Sequence, residues 1–543
     1  MELMGRVWSV DAVSKNNSTS QYGNIVSLDE SPLVEGLIYV GTDDGLVQVT
    51  EDGGKNWRKI SDFPDIPELS YVSCLTASLH DPNTVYATFD NHKMADFRPY
   101  ILKSDDRGKS WESIADGIPK NHTVYSIKQD HVNPDLLFAG TEFGVFFTNN
   151  GGGKWIQLKG GIPTIAVRDI DIQRRENDLA LATFGRGFYI LDDYSPLRSV
   201  SMEILNKEAH MFPVKDALMF HYFRASYGKG ESFFKAENPE FGAAFTYYLK
   251  EAPKTKKQIR QEMEKELKKD NKPIPFPSWD ELRAEDSEPA PYLLFTITDA
   301  DSNIVRRLKK KPSKGINRIT WDLSYSPYEA ITSAPDEEDY KTGSSSTLAL
   351  PGKYYVSMSL SVDGVTTQLT GPTEFNAVPL NNTTLPAEDR NALVKFQRDL
   401  AEINRVVYGT IQSNDNLLEN LKLAKTAYYQ TPDAKQSLLE KIIETEKAAR
   451  NIKVLLEGDK TMSDRATDQP PSISDRVQQA ISGLWGTTSS PTETQRENYD
   501  IAQKELKPLL ENLRNLIENE YKSIADELDK AKAPWTPGRI PKL

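Results

Sequence analysis

A chain of 543 residues is too long for one ordinary core, so two to four domains are expected, and 38% hydrophobic against 27% charged residues is a globular profile. A net charge of -13 argues against a nucleic-acid or anionic-membrane partner, which would want a basic face, and no apolar run of about 18 residues is present to span a membrane. Cys74 is the only cysteine, which excludes an internal disulfide and a cysteine-based zinc site.

The opening stretch, "MELMGRVWSVDAVSKNNSTS", lacks a charged region followed by an apolar one and does not read as a signal peptide. A repeat follows. "TEDGGKNW", "SDDRGKSW" and "TNNGGGKW" return after strand-like runs such as "GLIYVGTDDGLVQVT" and "DLLFAGTEFGVFFT". A further copy, "RENDLALATFGRGFYILDDYSPLR", keeps the strands and loses the box. A period of roughly 45 to 55 residues matches one four-stranded propeller blade. About four blades are therefore expected before residue 198, with innermost strands near 22–28, 70–78, 123–130 and 166–172.

The box reads as the hairpin turn between the third and fourth strands of a blade. Asp52, Asp106 and Asn150 can accept bonds from nearby backbone N–H groups. Thr50, Ser104 and Thr148 can add a hydroxyl bond. Gly54, Gly108 and Gly152 supply backbone conformations closed to residues with a Cβ. Trp57, Trp111 and Trp155 begin the fourth strand and are expected to pack between blades. The functional alternative is a calcium or ligand site; turn chemistry favours the structural role.

The pattern S/T-x-D/N-x-G-x-x-W resembles the Asp-box, or BNR, repeat of sialidases, sortilins and xyloglucanase-type glycoside hydrolases. "YVGTDDGLVQVTEDGGKNW", "GTEFGVFFTNNGG" and "FGRGFYILDDYSPLR" look like the final blades of large bacterial sortilin-like BNR-repeat proteins, often labelled glycosyl hydrolase. The resemblance covers nearly the whole chain. It implies an Ig-like region and a helical tail after the propeller, and an exported or cell-surface setting. It also implies a larger propeller, so the chain is expected to be the C-terminal part of a longer protein. A closed small propeller, or blades completed by a second chain, are the alternatives.

The loops between second and third strands lie on the face opposite the boxes. Their polar content is Asp43, Asp44, Asp90, His92, Arg98, Glu142 and Arg186. A glycosidase needs two carboxylates flanking the bond, and Asp43, Asp90 and Glu142 are the candidates for such a pair. The bland reading is that they cap turns and rim the channel. Asp44, His92, Arg98 and Arg186 are candidate binding residues. A sialidase would need an arginine cluster, and these loops offer only Arg98 and Arg186.

From about 199 to 382, aromatic and β-branched runs such as "AAFTYYLKEA", "YLLFTITDADSNIVRRL" and "LPGKYYVSMSLSVDG" predict an Ig-like or fibronectin-like β-sandwich with Trp321 in its core. A charged insert near 253–290 begins as a solvated helix. Residues 383–530 predict an antiparallel helical bundle. Thr384 is a candidate N-cap, with Pro386 in the first turn. Its stripes run through Leu393, Phe396, Leu400, Ile403 and Val407, then Leu439, Ile442 and Ile452, then Leu506, Leu510, Leu513, Ile517, Ile524 and Leu528. Residues 458–475 read as a loop and 531–543 as an extended tail.

No metal spacing links the histidines at 80, 92, 122, 131, 210 and 221, and no P-loop, G-x-G-x-x-G after a strand, or G-x-S-x-G is present, so no metal and no cofactor is expected. Two classes stand: a non-catalytic binding or assembly protein, and a glycoside hydrolase acting on extracellular polysaccharide. The expected partners are a protein or the remaining propeller blades, with a glycan as the further possibility, and neither nucleic acid nor a membrane span.

Overall fold

The computed structural model describes residues 2–3, 6–7, 23–220, 230, 236–327, 346–380, 387–484 and 489–541. His221, Thr384 and Pro386 lie outside them. The chain divides into two compact units, Met1–Asn206 and Lys207–Leu543.

In the first unit β1 (Glu2–Leu3) and β2 (Arg6–Val7) pair with each other. Four antiparallel meanders then follow in chain order. The first sheet is β3 (Ile25–Glu30), β4 (Ile38–Thr42), β5 (Val47–Thr50) and β6 (Arg58–Ile60). The second is β7 (Tyr71–Ala77), β8 (Val85–Asn91), β9 (Asp96–Ser104) and β10 (Glu112–Ser113). The third is β11 (Val124–Gln129), β12 (Leu137–Thr141), β13 (Gly144–Thr148) and β14 (Ile156–Gln157). The fourth has three strands, β15 (Val167–Gln173), β16 (Asp178–Thr183) and β17 (Phe188–Leu191). First strands lie beside first strands, β3 by β7, β7 by β11 and β11 by β15, which is how propeller blades stack.

Alternation places one face of the second and third sheets against the sheet before and the other against the sheet after. Val47, Val49 and Phe63 of the first sheet share a core with Val72, Leu75 and Phe89 of the second. Ile101, Ile114 and Ile118 of the second meet Ile127, Phe146 and Trp155 of the third. Phe138, Val145 and Phe147 of the third meet Ile170, Leu179 and Tyr194. Every first strand carries a register shift at the same place, between Ile25 and Ser27, Val72 and Cys74, Val124 and Ser126, and Val167 and Asp169. Val26, Ser73, Tyr125 and Arg168 are the bulged residues, and a bulge re-aims its side chain.

The boxes close their own turns. Gly54 N–H donates to Thr50 Oγ1 (2.8 Å), and Asn56 N–H to Asp52 Oδ1 (2.9 Å). Gly108 N–H donates to Ser104 Oγ (2.8 Å), and Ser110 N–H to Asp106 Oδ1 (2.8 Å). Gly152 N–H donates to Thr148 Oγ1 (3.2 Å), and Lys154 N–H to Asn150 Oδ1 (3.0 Å). Gly54 (φ 92°), Gly108 (76°) and Gly152 (101°) lie in the left-handed region, where a Cβ is strained. The fourth sheet has no box. There Tyr194 fills the place of a box tryptophan: it is buried against Phe138 and donates its hydroxyl to Asp130 (2.6 Å). Arg198 forks onto Asp130 through Nε and Nη2, both at 2.8 Å. Burial pushes the Asp130 carboxyl up, but the bonds from Arg198, Tyr194 and Asn133 outweigh it and hold it at about 2.

The second unit, which begins after α1 (Met202–Asn206), has two sheets around one core. β18 (Ala209–Met211), β20 (Ala243–Leu249) and β23 (Gly315–Trp321) form one. β19 (Ala217–Met219), β25 (Val365–Pro379), β24 (Gly352–Val362), β21 (Tyr292–Asp299) and β22 (Ile304–Lys310) form the other, with β19 parallel to β25. Phe245, Tyr247 and Trp321 from the first meet Phe295, Val356 and Phe375 from the second, and Trp321 is fully buried. The charged insert forms two helices, α2 (Lys256–Lys269) and α3 (Trp279–Ser287), each opened by a capping box and neither burying a residue.

The helical region comprises α4 (Arg390–Tyr429), α5 (Gln436–Glu457), α6 (Lys460–Ser463), α7 (Ile473–Ser482), α8 (Glu493–Asn515) and α9 (Lys522–Lys530), joined to α8 by a π-helical turn. One apolar core runs through Leu400, Leu421, Ile442, Ile452, Val477, Leu506 and Ile524. Asp389 caps α4, accepting from Ala392 N–H (3.0 Å). Two details differ from the sequence reading. Leu438, not Leu439, is the buried residue at the start of the α5 stripe, and all of α6 and the first residues of α7 lie inside the stretch, 458–475, read as a loop. Beyond α9, Arg539 is buried and pairs with Asp529 (3.0 Å).

Candidate functional site

At the hairpin end of the first unit, four residues occupy one position. Asp43, Asp90, Glu142 and Phe184 each follow the second-strand residue that faces Ile25, Val72, Val124 or Val167. The N–H groups of Asp43, Glu142 and Phe184 donate to the carbonyls of Asn24, Thr123 and Ala166, each two residues before a bulge.

The carboxylates are differently engaged. Asp43 accepts from Gly23 N–H (2.7 Å), Asn24 N–H (2.9 Å) and Asn24 Nδ2 (2.9 Å), fastening the chain that enters β3. Asp44 is buried and accepts the Thr42 hydroxyl inside its own turn. Asp90 is buried, accepts from His92 N–H (2.9 Å) and faces His92 Nδ1 at 2.6 Å. Arg98 is exposed and forks onto Asp96 through Nε (2.9 Å) and Nη2 (2.8 Å), which holds the Asp96 carboxyl well below the usual range. Arg186 stands exposed between Gly185 and Gly187.

Glu142 is the centre of a cluster that the loop residues alone do not reveal. It accepts the Tyr125 hydroxyl, and Arg168 Nη2 lies 3.9 Å from its Oε2. The Arg168 guanidinium sits 3.8 Å from the Tyr125 ring centroid and 5.4 Å from that of Phe184, an Arg–aromatic stack. Burial, and then the bond to Glu142, push the Tyr125 hydroxyl well above its ordinary range. Tyr71 pairs with Asp90 in the ladder, and burial followed by the charges of Asp43 and Asp90 raises its hydroxyl. Glu142 and the exposed Phe184 are thus brought together with Tyr125 and Arg168. Asp43, Asp90 and Glu142 share one end of consecutive sheets, but no hydrogen bond joins any two of them among the described residues.

Tyr125 and Arg168 escaped the sequence reading because they sit in first strands. The signal was available: Tyr125 precedes Glu142 by 17 residues, as Val26 precedes Asp43 and Ser73 precedes Asp90.

At the opposite end of the first strands, Asp29, Thr76, Lys128, Asp171 and Arg174 line a cleft of about 160 Å³. Burial pushes the Asp29 carboxyl up although it accepts from Ala77 N–H (2.7 Å), and Lys128 lies 3.6 Å from Asp171. Among the described residues no group of three His, Cys, Asp or Glu is placed to hold a metal ion, and no helix is long and apolar enough to cross a membrane.

No family model matches the chain, and no curated protein is similar to it. Among solved structures, YCF48 from Cyanidioschyzon merolae is 18% identical over 31% of this chain and 52% of its own, with a TM-score of 0.24. An ancestral GH74 enzyme is 12% identical over 65% of this chain and 41% of its own, TM-score 0.27. The GH74 xyloglucanase from Xanthomonas campestris is 9% identical over 64% and 38%, TM-score 0.25. The chain spans about half or less of each of these proteins. Likenesses this low carry no weight for its fold or chemistry, which stand on the sheets and side chains described above.

Proposed function

We propose that the stacked sheets are a non-catalytic binding and assembly platform of the exported or cell-surface type, engaging a protein partner or further propeller blades, with a glycan as the other ligand class. The observation that carries this reading is the shelf at the hairpin end. Arg168, stacked between Tyr125 and Phe184, leaves an aromatic and guanidinium surface exposed, and such surfaces dominate recognition. In support, Asp43 and Asp90 each accept from neighbouring backbone N–H groups and Glu142 from the Tyr125 hydroxyl. We read the two-sheet unit as Ig-like, with it and the bundle serving as spacer or docking elements. The second reading, a glycoside hydrolase, draws on Asp43, Asp90 and Glu142 sharing one end of the sheets.

Native mass spectrometry of the protein from its source tests the platform reading. A stoichiometric companion other than a second copy of this chain should be present, and Arg168→Ala with Phe184→Ser should release it. Such a companion that ignores both substitutions, or none at all, contradicts the shelf as its seat.

A further inference from the structure

Both ends of the sheet stack expose what its interior buries. Leu28 lies two residues after the bulge of its first strand, as do Leu75, Ile127 and Ile170. Those three are 4%, 0% and 1% exposed, each in a core shared with the preceding sheet, whereas Leu28 is 61% exposed. The box tryptophans agree. Trp155 is 4% exposed and donates its Nε1–H across to Ile114 O of the second sheet (2.6 Å). Trp57 is 45% exposed and donates back to Gly54 O of its own turn (3.1 Å). The expectation that Trp57 packs between blades does not hold among the described residues, where only the two-stranded β1–β2 sheet precedes its own.

The other end is the complement. Phe188 and Ile190 occupy the positions that Val145 and Phe147 hold in the third sheet and Val47 and Val49 in the first. Those four are buried against the following sheet, while Phe188 and Ile190 are 78% and 57% exposed. β17 is also the last strand of its sheet. Large apolar residues at ladder positions beside an edge that pairs with no strand among the described residues form a template for another sheet.

We infer that the two ends are the two halves of one interface, and that the Leu28–Trp57 face of one copy of this chain seats on the Phe188–Ile190 face of a second copy. The interface is already made three times inside the unit, so the recognition chemistry is that of the internal cores. The inference rests on the assembly part of the proposed function and names its partner. A head-to-tail contact runs on or closes into a ring, so species of two or more copies are expected.

Sedimentation velocity of the purified chain between about 1 and 100 μM tests this, a span chosen because such contacts fall in the micromolar range. Concentration-dependent association is expected. Leu28→Lys with Trp57→Ser should weaken it at least about 30-fold, as should Phe188→Ser with Ile190→Lys. Neither double variant should associate alone, yet an equimolar mixture should pair, because each supplies the face the other lacks. That rescue also shows that both variants fold. A wild-type chain that stays monomeric to the top concentration overturns the inference while leaving the shelf untouched. Association unaffected by either double variant, or a mixture that does not pair, overturns it as well.

Discussion

At the box end of the sheets, Asp52 and Asp106 accept bonds from residues four along in their own turns, and both carboxyls are held at about 2. At the hairpin end, Glu142 accepts from Tyr125, 17 residues away, and leans on Arg168 of the next sheet. The residue types are alike. The difference is reach: the first set shapes a turn and leaves little to offer a ligand, while the second assembles groups from separate sheets and leaves Arg168 and Phe184 at the surface. A further carboxylate, Asp130, combines reach with burial, and there the energetic stakes should be highest.

Four changes would break or sharpen this contrast. Arg198→Ala leaves the Asp130 charge buried without its ion pair and should cost about 3–5 kcal/mol, read from the denaturant midpoint of the tryptophan fluorescence transition. Acid should act on the same pair. The folded Asp130 carboxyl sits at about 2, below its unfolded value of about 3.9. Its contribution, about 2–3 kcal/mol, is therefore complete above about pH 4 and lost as pH falls toward 2. Wild type should destabilise through that window, and Asp130→Asn should show a flatter profile. Ser104→Ala removes the acceptor of the Gly108 N–H and should cost about 1–2 kcal/mol in the same unfolding measurement. Glu142→Gln, at the half-exposed shelf, should change stability by no more than about 0.5 kcal/mol. A loss as large as that of Ser104→Ala would mean the shelf is structural and the contrast false.

What was legible in the sequence was what local chemistry dictates. Hydroxyl, carboxylate or amide, glycine and tryptophan at fixed offsets specify a turn, and alternation specifies the strands around it. The mainly β character followed by C-terminal helices could be read from periodicity alone. The cluster around Glu142 could not, because a bulge breaks the period of two and turns Tyr125 and Arg168 toward the hairpin end. The Asp130–Arg198 pair spans 68 residues, and nothing local announces it. The helix α7 was missed because ten residues after a proline pair hold too few turns to show a stripe.

The most direct test of the platform account is reducing-end release from a panel of neutral and acidic polysaccharides, comparing wild type with a triple variant carrying Asp43→Asn, Asp90→Asn and Glu142→Gln. The account predicts no release above buffer by either protein. Release by wild type that the triple variant loses would contradict it and establish the hairpin carboxylates as a glycosidase centre.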